Sequence, residues 1–151
     1  MVRPIREEEL PAMLELYTHL HPEDARLRPG DPAVQAVWQE IRNSPHLRYY
    51  VAETEGSIVS TCTLTLIPNL TRKLRPYGLI ENVVTDPAYR HRGWATLVLQ
   101  HALAEAWAAR CYKVMLLTGS RQEQTLRFYE KAGFQRGIKT GFIAYPSKKL
   151  E

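Results

Sequence analysis

Residues 77–110 read YGLIENVVTDPAYRHRGWATLVLQHALAEAWAAR, and this stretch joins a predicted strand, a basic loop and a predicted helix. Residues 79–85 are mostly apolar or β-branched. Asp86-Pro87 ends the run, because proline donates no ladder hydrogen bond and keeps its predecessor out of a helix. Apolar residues then recur at helical spacing from Val98 to Trp107, which predicts a helix with one buried face. The rest of the chain is predicted to fold around this strand, loop and helix.

The loop at residues 90–96 has the composition of an anion-binding site. A helix start leaves N–H groups without intrahelical partners and carries the positive end of the helix dipole. Gly93 lets the backbone approach a ligand closely, and Arg90 and Arg92 add fixed positive charges on either side of His91. These features suit a pyrophosphate. A basic linker, in which Gly93 only makes the turn, also fits the same residues.

A second block, residues 126–134, reads LRFYEKAGF and predicts the end of a helix, with Gly133 just beyond its last turn. The loop Arg90-His91-Arg92-Gly93-Trp94-Ala95 resembles the RxxGxG/A loop of the GNAT superfamily of N-acetyltransferases, with Ala95 in place of the more frequent glycine. LRFYEKAGF is similar to a later block of that family, and the resemblance spans residues 47–143. The strand residues IENVV, 80–84, look like those of the glucosamine-6-phosphate N-acetyltransferases.

This resemblance implies an α/β (α+β) fold with one mixed, mostly antiparallel sheet. About six or seven strands and about four flanking helices are expected, with the central strands four and five splayed apart. Periodicity and turn residues place the other elements of that fold. They predict a helix over 7–20, a helix capped by Asp31 that ends near Arg42, a hairpin of 47–53 and 58–67, a strand over 112–117, a helix over 125–132 and an antiparallel pair within 134–145.

The resemblance also implies that the chain binds acetyl-coenzyme A as cosubstrate and needs no metal. Backbone groups near Val84 are expected to meet the pantetheine and the thioester carbonyl, while the basic loop is expected to wrap the pyrophosphate. Gln122 stands where an asparagine is common in the family, and its amide lies one methylene further out. The implied cofactor-binding residues are Val83, Val84, Thr85, Arg90, His91, Arg92, Gly93, Trp94, Ala95, Thr96, Gln122 and Tyr129.

Two residues are candidates for the proton transfers that acetylation of an amine requires. Tyr129 matches the family tyrosine that lies near the cofactor sulfur and protonates the departing thiolate, although a packed aromatic ring is the alternative interpretation. Glu81 is the candidate base, because a carboxylate in the middle of a strand is costly unless it faces a polar cleft. Glu81 could instead form a salt bridge with a neighbouring strand. A chain of water molecules that relays the proton is a second alternative to a single base.

Composition sets outer limits on the function. The chain has 151 residues, a hydrophobic fraction of 44% and a formal net charge of +4, which predicts one domain over residues 1–151. No stretch approaches the roughly 20 apolar residues of a membrane span, and the N-terminus has no secretion signal, so we expect a cytoplasmic protein without membrane contacts. The scattered basic residues do not indicate nucleic acid binding. Cys62 and Cys111 are expected to be buried thiols outside any metal site.

The sequence therefore predicts an acetyl-coenzyme A-dependent N-acetyltransferase that acts by direct attack of a primary amine. A small-molecule acceptor, such as an aminosugar phosphate, is favoured over a protein lysine or an N-terminal α-amino group. A binding protein that senses acyl-coenzyme A without catalysis is the alternative from another class, and it would need neither Glu81 nor Tyr129. The family resemblance implies a homodimer.

Overall fold

The computed structural model describes residues 1–146 and arranges them as five strands and four α-helices. Short 3₁₀ turns precede the first helix and follow the third and fourth strands. In chain order the elements are β1 (Val2–Pro4), α1 (Leu10–Thr18), α2 (Pro32–Asn43), β2 (Leu47–Thr54), β3 (Ser57–Ile67), β4 (Tyr77–Thr85), α3 (Trp94–Ala108), β5 (Val114–Leu116) and α4 (Glu123–Lys131).

The strands form one mixed sheet in the order β1-β2-β3-β4-β5. The first four pair antiparallel, whereas β5 pairs with β4 in parallel and is reached through α3. The predicted hairpin is confirmed as β2 and β3, and the predicted central strand and helix are confirmed as β4 and α3. The Asp31 cap is also confirmed, because the Ala33 N–H donates to Asp31 Oδ1 at 2.8 Å.

The prediction of six or seven strands is wrong, since the described residues contain five. The difference lies in residues 134–145, where the alternating aromatic pattern predicted an antiparallel pair and the structure has no strand. A strand is stable only when a neighbour takes up its N–H and C=O groups and its apolar side chains. Within residues 1–146 no strand pairs with this segment, and Phe142 is 91% exposed.

The ladder between β4 and β5 is only three residue pairs long, from Gly78 with Val114 to Ile80 with Leu116. On its other side β4 stays paired with β3 as far as Thr85. Residues 81–85 of β4 therefore have no partner strand on the β5 side among the described residues. The β3–β4 register shifts in this half of the strand, where Asn82 adopts φ +54°. The bulge bends β4 at the point where β5 leaves it.

The two faces of the sheet carry different helices. Cys62 on β3 faces α3, because its Sγ lies 3.8 Å from the Val98 carbonyl oxygen of that helix. Successive residues of a strand point to opposite faces, so Thr63 and the residues paired with it face the other way, towards α1 and α2. Glu81 is one of those paired residues. A ligand that reaches β4 can therefore approach from either of two chemically different sides.

Helix α3 covers the first of these faces with small and branched side chains. Val98, Leu99, Ala102 and Ala106 are fully buried against the sheet, in agreement with the predicted apolar stripe. Trp107 was counted in that stripe but is 50% exposed, because it lies at the edge of the helix face in the last turn. Neither α3 nor any other helix within residues 1–146 combines the length and the apolar character needed to cross a bilayer.

Candidate active site

The start of α3 exposes a set of unpaired backbone donors. Gly93 precedes the helix with φ +83°, a left-handed conformation that suits glycine, and its carbonyl accepts the Leu97 N–H at 3.0 Å. Leu97 is the first residue to close a helical hydrogen bond with Gly93, so the N–H groups of Trp94, Ala95 and Thr96 have no acceptor within the helix. No side chain among residues 1–146 caps this helix start. The geometry predicted for an anion site is present.

The basic loop before α3 is held in shape by contacts of its own residues. Asp86 Oδ1 accepts the Ala88 N–H at 2.8 Å, and Arg90 Nε donates to the Thr85 carbonyl at 3.2 Å. The Arg92 guanidinium lies 5.4 Å from the centre of the Tyr89 ring. Arg90 and Arg92 are exposed, so their charges are available to a ligand in solution, and His91 between them is exposed as well.

The half of β4 that has no β5 neighbour leads directly into this loop. Its last two residues, Val84 and Thr85, pair with Thr61 and Ser60 on β3. Ser60 Oγ donates to the Val84 carbonyl at 3.2 Å and shares a 2.8 Å hydrogen bond with Thr85 Oγ1. The backbone of this segment is therefore rigid and is open along the edge where β5 has turned away. The structure thus brings the predicted strand residues and the predicted loop residues together.

Tyr129 lies on α4 and is half-buried in an aromatic cluster. Its ring centre is 4.9 Å from that of Phe128 and 6.4 Å from that of Phe134, in tilted and edge-to-face arrangements. Burial raises the pKa of the Tyr129 hydroxyl above its usual value. The ring is packed against its neighbours, which agrees with the alternative interpretation of Tyr129 as a packed aromatic residue. The same packing fixes the position of the hydroxyl, as a general acid also requires.

Gln122 stands apart from this cluster, immediately before the first turn of α4. Its backbone N–H donates to Ser120 Oγ at 3.3 Å, and its side chain is exposed. The side-chain amide of Gln122 is therefore free to meet a ligand at the start of α4. It lies about two helical turns before Tyr129.

Glu81 lies on the side of the sheet that faces α1 and α2, and it is exposed. Its register partner is Thr63, which in turn pairs with Tyr49 on β2. The alternative interpretation, a salt bridge with a neighbouring strand, is not seen, because within residues 1–146 the Glu81 carboxylate forms no ion pair. The carboxylate is available as an acceptor of a proton.

A buried group of hydroxyls beside Glu81 was not predicted from the sequence. The Tyr17 hydroxyl lies next to Thr63 and Asn82, and the Tyr49 hydroxyl lies next to Thr63. Burial raises the pKa of both tyrosines. The buried oxygens of Tyr17 and Thr63 have no hydrogen-bond partner among the described residues. The spacing of Tyr17 and Thr63 along the chain gave no indication of a site.

Other reactive groups of the chain lie outside this region or are masked by burial. Cys62 is fully buried, and burial raises its thiol pKa to about 12, while Cys111 is 2% exposed. Neither thiol is therefore available as a nucleophile. In the part of the chain that the structure describes, no three His, Cys, Asp or Glu side chains come together as a metal site.

Comparison with known proteins gives consistent matches over most of the chain. Residues 10–134 match the family model described as the acetyltransferase (GNAT) family. A glucosamine 6-phosphate N-acetyltransferase from Trypanosoma brucei brucei is 31% identical over 134 residues, which cover 89% of this chain and 88% of the relative.

Solved structures agree with that match. A protein of Agrobacterium tumefaciens str. C58, provisionally named an acetyltransferase, is 44% identical with a TM-score of 0.91 over 97% of this chain and 99% of its own. The glucosamine-6-phosphate N-acetyltransferase of Arabidopsis thaliana is 22% identical with a TM-score of 0.82 over 97% of both chains, which shows a shared fold.

Proposed function

Because the chain belongs to the GNAT family and is an N-acetyltransferase, we propose that it moves the acetyl group of acetyl-coenzyme A to a primary amine of a small molecule. One observation carries this proposal. The open half of β4, residues 81–85, runs through a rigid basic loop into a helix start with three free N–H groups. A thioester and a pyrophosphate joined by a pantetheine arm need these two kinds of site in that order.

The cofactor is expected to lie along this path. The pyrophosphate binds the N–H groups of Trp94, Ala95 and Thr96, which carry the positive end of the α3 dipole, and the charges of the loop add to the attraction. The pantetheine arm pairs with the free backbone edge of residues 83–85, and the exposed amide of Gln122 takes the role of the usual asparagine.

The proposed reaction is a direct transfer. The neutral amine attacks the thioester carbonyl, a carbon–nitrogen bond forms, and the carbon–sulfur bond breaks. The thiolate takes a proton from the Tyr129 hydroxyl, and the amine loses its proton to Glu81, directly or through water. The thioester is already activated, so holding the two reactants in line supplies much of the rate. Because Glu81 and α3 lie on opposite faces of the sheet, amine and cofactor approach β4 from opposite sides.

The names of the relatives favour an aminosugar phosphate as the first acceptor to test. We expect the protein to meet such a compound in the cytoplasm. The test is release of free coenzyme A thiol from acetyl-coenzyme A with aminosugar phosphates, alkylamines, amino acids and lysine peptides. Release with one small-amine class supports the proposal. Release with peptides alone favours a protein acetyltransferase, and cofactor binding without any release across the panel favours a sensor.

Reversal of one loop charge should weaken cofactor binding selectively. We expect Arg92→Glu to raise the dissociation constant for coenzyme A by at least about tenfold, because it replaces a charge-assisted contact with repulsion. Arg48→Glu is the matched control, since Arg48 is exposed on β2 at the other end of the sheet. Isothermal calorimetry gives both constants. Equal affinities of the two variants would remove the loop from the pyrophosphate site.

Loss of the Tyr129 hydroxyl should lower turnover and leave cofactor affinity unchanged. We expect Tyr129→Phe to reduce kcat by about 10² or more, the usual contribution of a positioned acid. Burial raises the Tyr129 pKa above its ordinary value of about 10, so the hydroxyl stays protonated up to at least about pH 10. It loses its proton only at higher pH. The alkaline limb of the wild-type pH–rate profile should therefore be missing from the variant. Tyr112→Phe is the control, and an unchanged kcat for Tyr129→Phe contradicts the acid role.

We also propose that the protein is a homodimer. Exposed apolar side chains concentrate in residues 138–145, where Ile138, Phe142, Ile143 and Tyr145 are between 64% and 91% exposed. A short segment with several large exposed apolar side chains is typical of an interface, and a second copy of the chain is the partner that the family resemblance implies. Sedimentation equilibrium should give a dimer for the wild type and a monomer for Phe142→Ser/Ile143→Ser. A monomeric wild type would refute the proposal.

A further inference from the structure

A cavity of about 370 Å³ lies between α1, α2 and β2, on the face of the sheet that carries Glu81. Every described residue that lines it is aliphatic or aromatic, among them Met13, Tyr17, Ala33 and Tyr49. It opens to solvent beside Leu27 and Val37, which are 59% and 55% exposed. Its volume falls within the range of about 300–1,000 Å³ that is usual for small-molecule sites.

The cavity has a fixed wall and is not a loose gap between helices. Trp38 forms part of this wall, is 4% exposed, and donates its indole N–H to the Glu7 carbonyl at 3.2 Å. Its ring meets that of Tyr49 edge to face, with centres 6.3 Å apart, and the Arg42 guanidinium covers it at 5.9 Å. The Asp31 cap fixes the start of α2 beside Ala33. These contacts keep α2 in place while the space inside stays unfilled by the chain.

Two residues of the cavity wall, Tyr17 and Tyr49, lie beside the row of strand residues that contains Glu81. Tyr49, Thr63 and Glu81 are register partners on three neighbouring strands, so they form a row across one face of the sheet. Directly opposed residues lie about 5 Å apart, which places Glu81 roughly 10 Å from the cavity wall at Tyr49. Along this row the buried oxygens of Tyr17 and Thr63 have no partner within residues 1–146, and Thr63 is 5% exposed. The hydroxyls of Tyr17, Thr63 and Tyr49 lie beside one another here, so the row offers polar atoms that can hydrogen-bond an amine nitrogen.

We propose that this cavity holds the apolar body of the amine acceptor, while the amine nitrogen lies along the row of hydroxyls that ends at Glu81. The inference rests on the proposed acetyl transfer and narrows its substrate to amines that carry an alkyl or aryl group. An aminosugar phosphate would bring several hydroxyls and a dianion to a wall that has no charged side chain and few polar atoms besides the hydroxyls of Tyr17 and Tyr49. Most of their lost hydration would not be replaced. Such a compound should be the poorer acceptor.

The test compares ethylamine, hexylamine, phenethylamine and glucosamine 6-phosphate as acceptors for the wild type and two variants. Ala33→Phe places a ring in the cavity, and Ala36→Phe places the same ring on an exposed position of α2 that does not line it. Each buried methylene contributes about fourfold in binding, so kcat/KM should rise at least tenfold from ethylamine to hexylamine in the wild type. Ala33→Phe should abolish that rise, and Ala36→Phe should keep it.

A binding arm separates failure of this proposal from failure of the proposed function. Calorimetry with hexylamine, phenethylamine and ethylamine needs no catalysis, and it should show the same chain-length preference and the same loss in Ala33→Phe. If no amine is acetylated but this pattern appears, the cavity proposal stands and the proposed activity falls. An affinity and a kcat/KM that do not depend on the apolar group, or equal losses in the two variants, overturn the cavity proposal.

Discussion

The departure of β5 from β4 after three residue pairs is the constraint on which the site depends. Backbone N–H and C=O groups in a sheet normally satisfy one another, and β4 forgoes this on one side from Glu81 to Thr85. The strand remains extended because β3 holds its other edge and the Ser60 hydroxyl ties down its last residues. A rigid strand with one open edge is thus offered to a ligand instead of to another strand.

Close packing decides where the short ladder lies. A side chain at Gly78 would meet Leu64 Cδ1 at 3.0 Å and Val114 Cγ2 at 3.1 Å, so only glycine lets β5 approach here without displacement of a neighbour. The ladder ends at Ile80, two residues beyond Gly78. Asn82, which has a positive φ, then bends β4. A tight contact followed directly by a bulge makes the strands part at one defined place.

The sequence allowed prediction of the features that depend on local chemistry. Asp86-Pro87 and Gly93 determine where β4 ends and α3 begins without help from distant residues, and Asp31 does the same for α2. The prediction for residues 134–145 was wrong for a different reason. Their alternating pattern is typical of a strand, but a strand also needs a partner strand, and the described residues do not supply one. Thr63 and Tyr17 were missed for a related reason. They meet only through the register of three strands and the packing of α1.

The two faces of the sheet present surfaces of opposite character to the proposed cofactor and the proposed acceptor. On the α3 side the attraction is electrostatic and comes from free N–H groups and exposed arginines, which suits a polyanion. On the α1 and α2 side the walls are apolar, and the polar atoms are limited to a narrow row that ends at Glu81. A neutral amine is favoured on this second side, because an apolar environment lowers the pKa of an ammonium group and the attacking nitrogen must be unprotonated. The wall that we propose to select an apolar acceptor would therefore also prepare its nitrogen for attack.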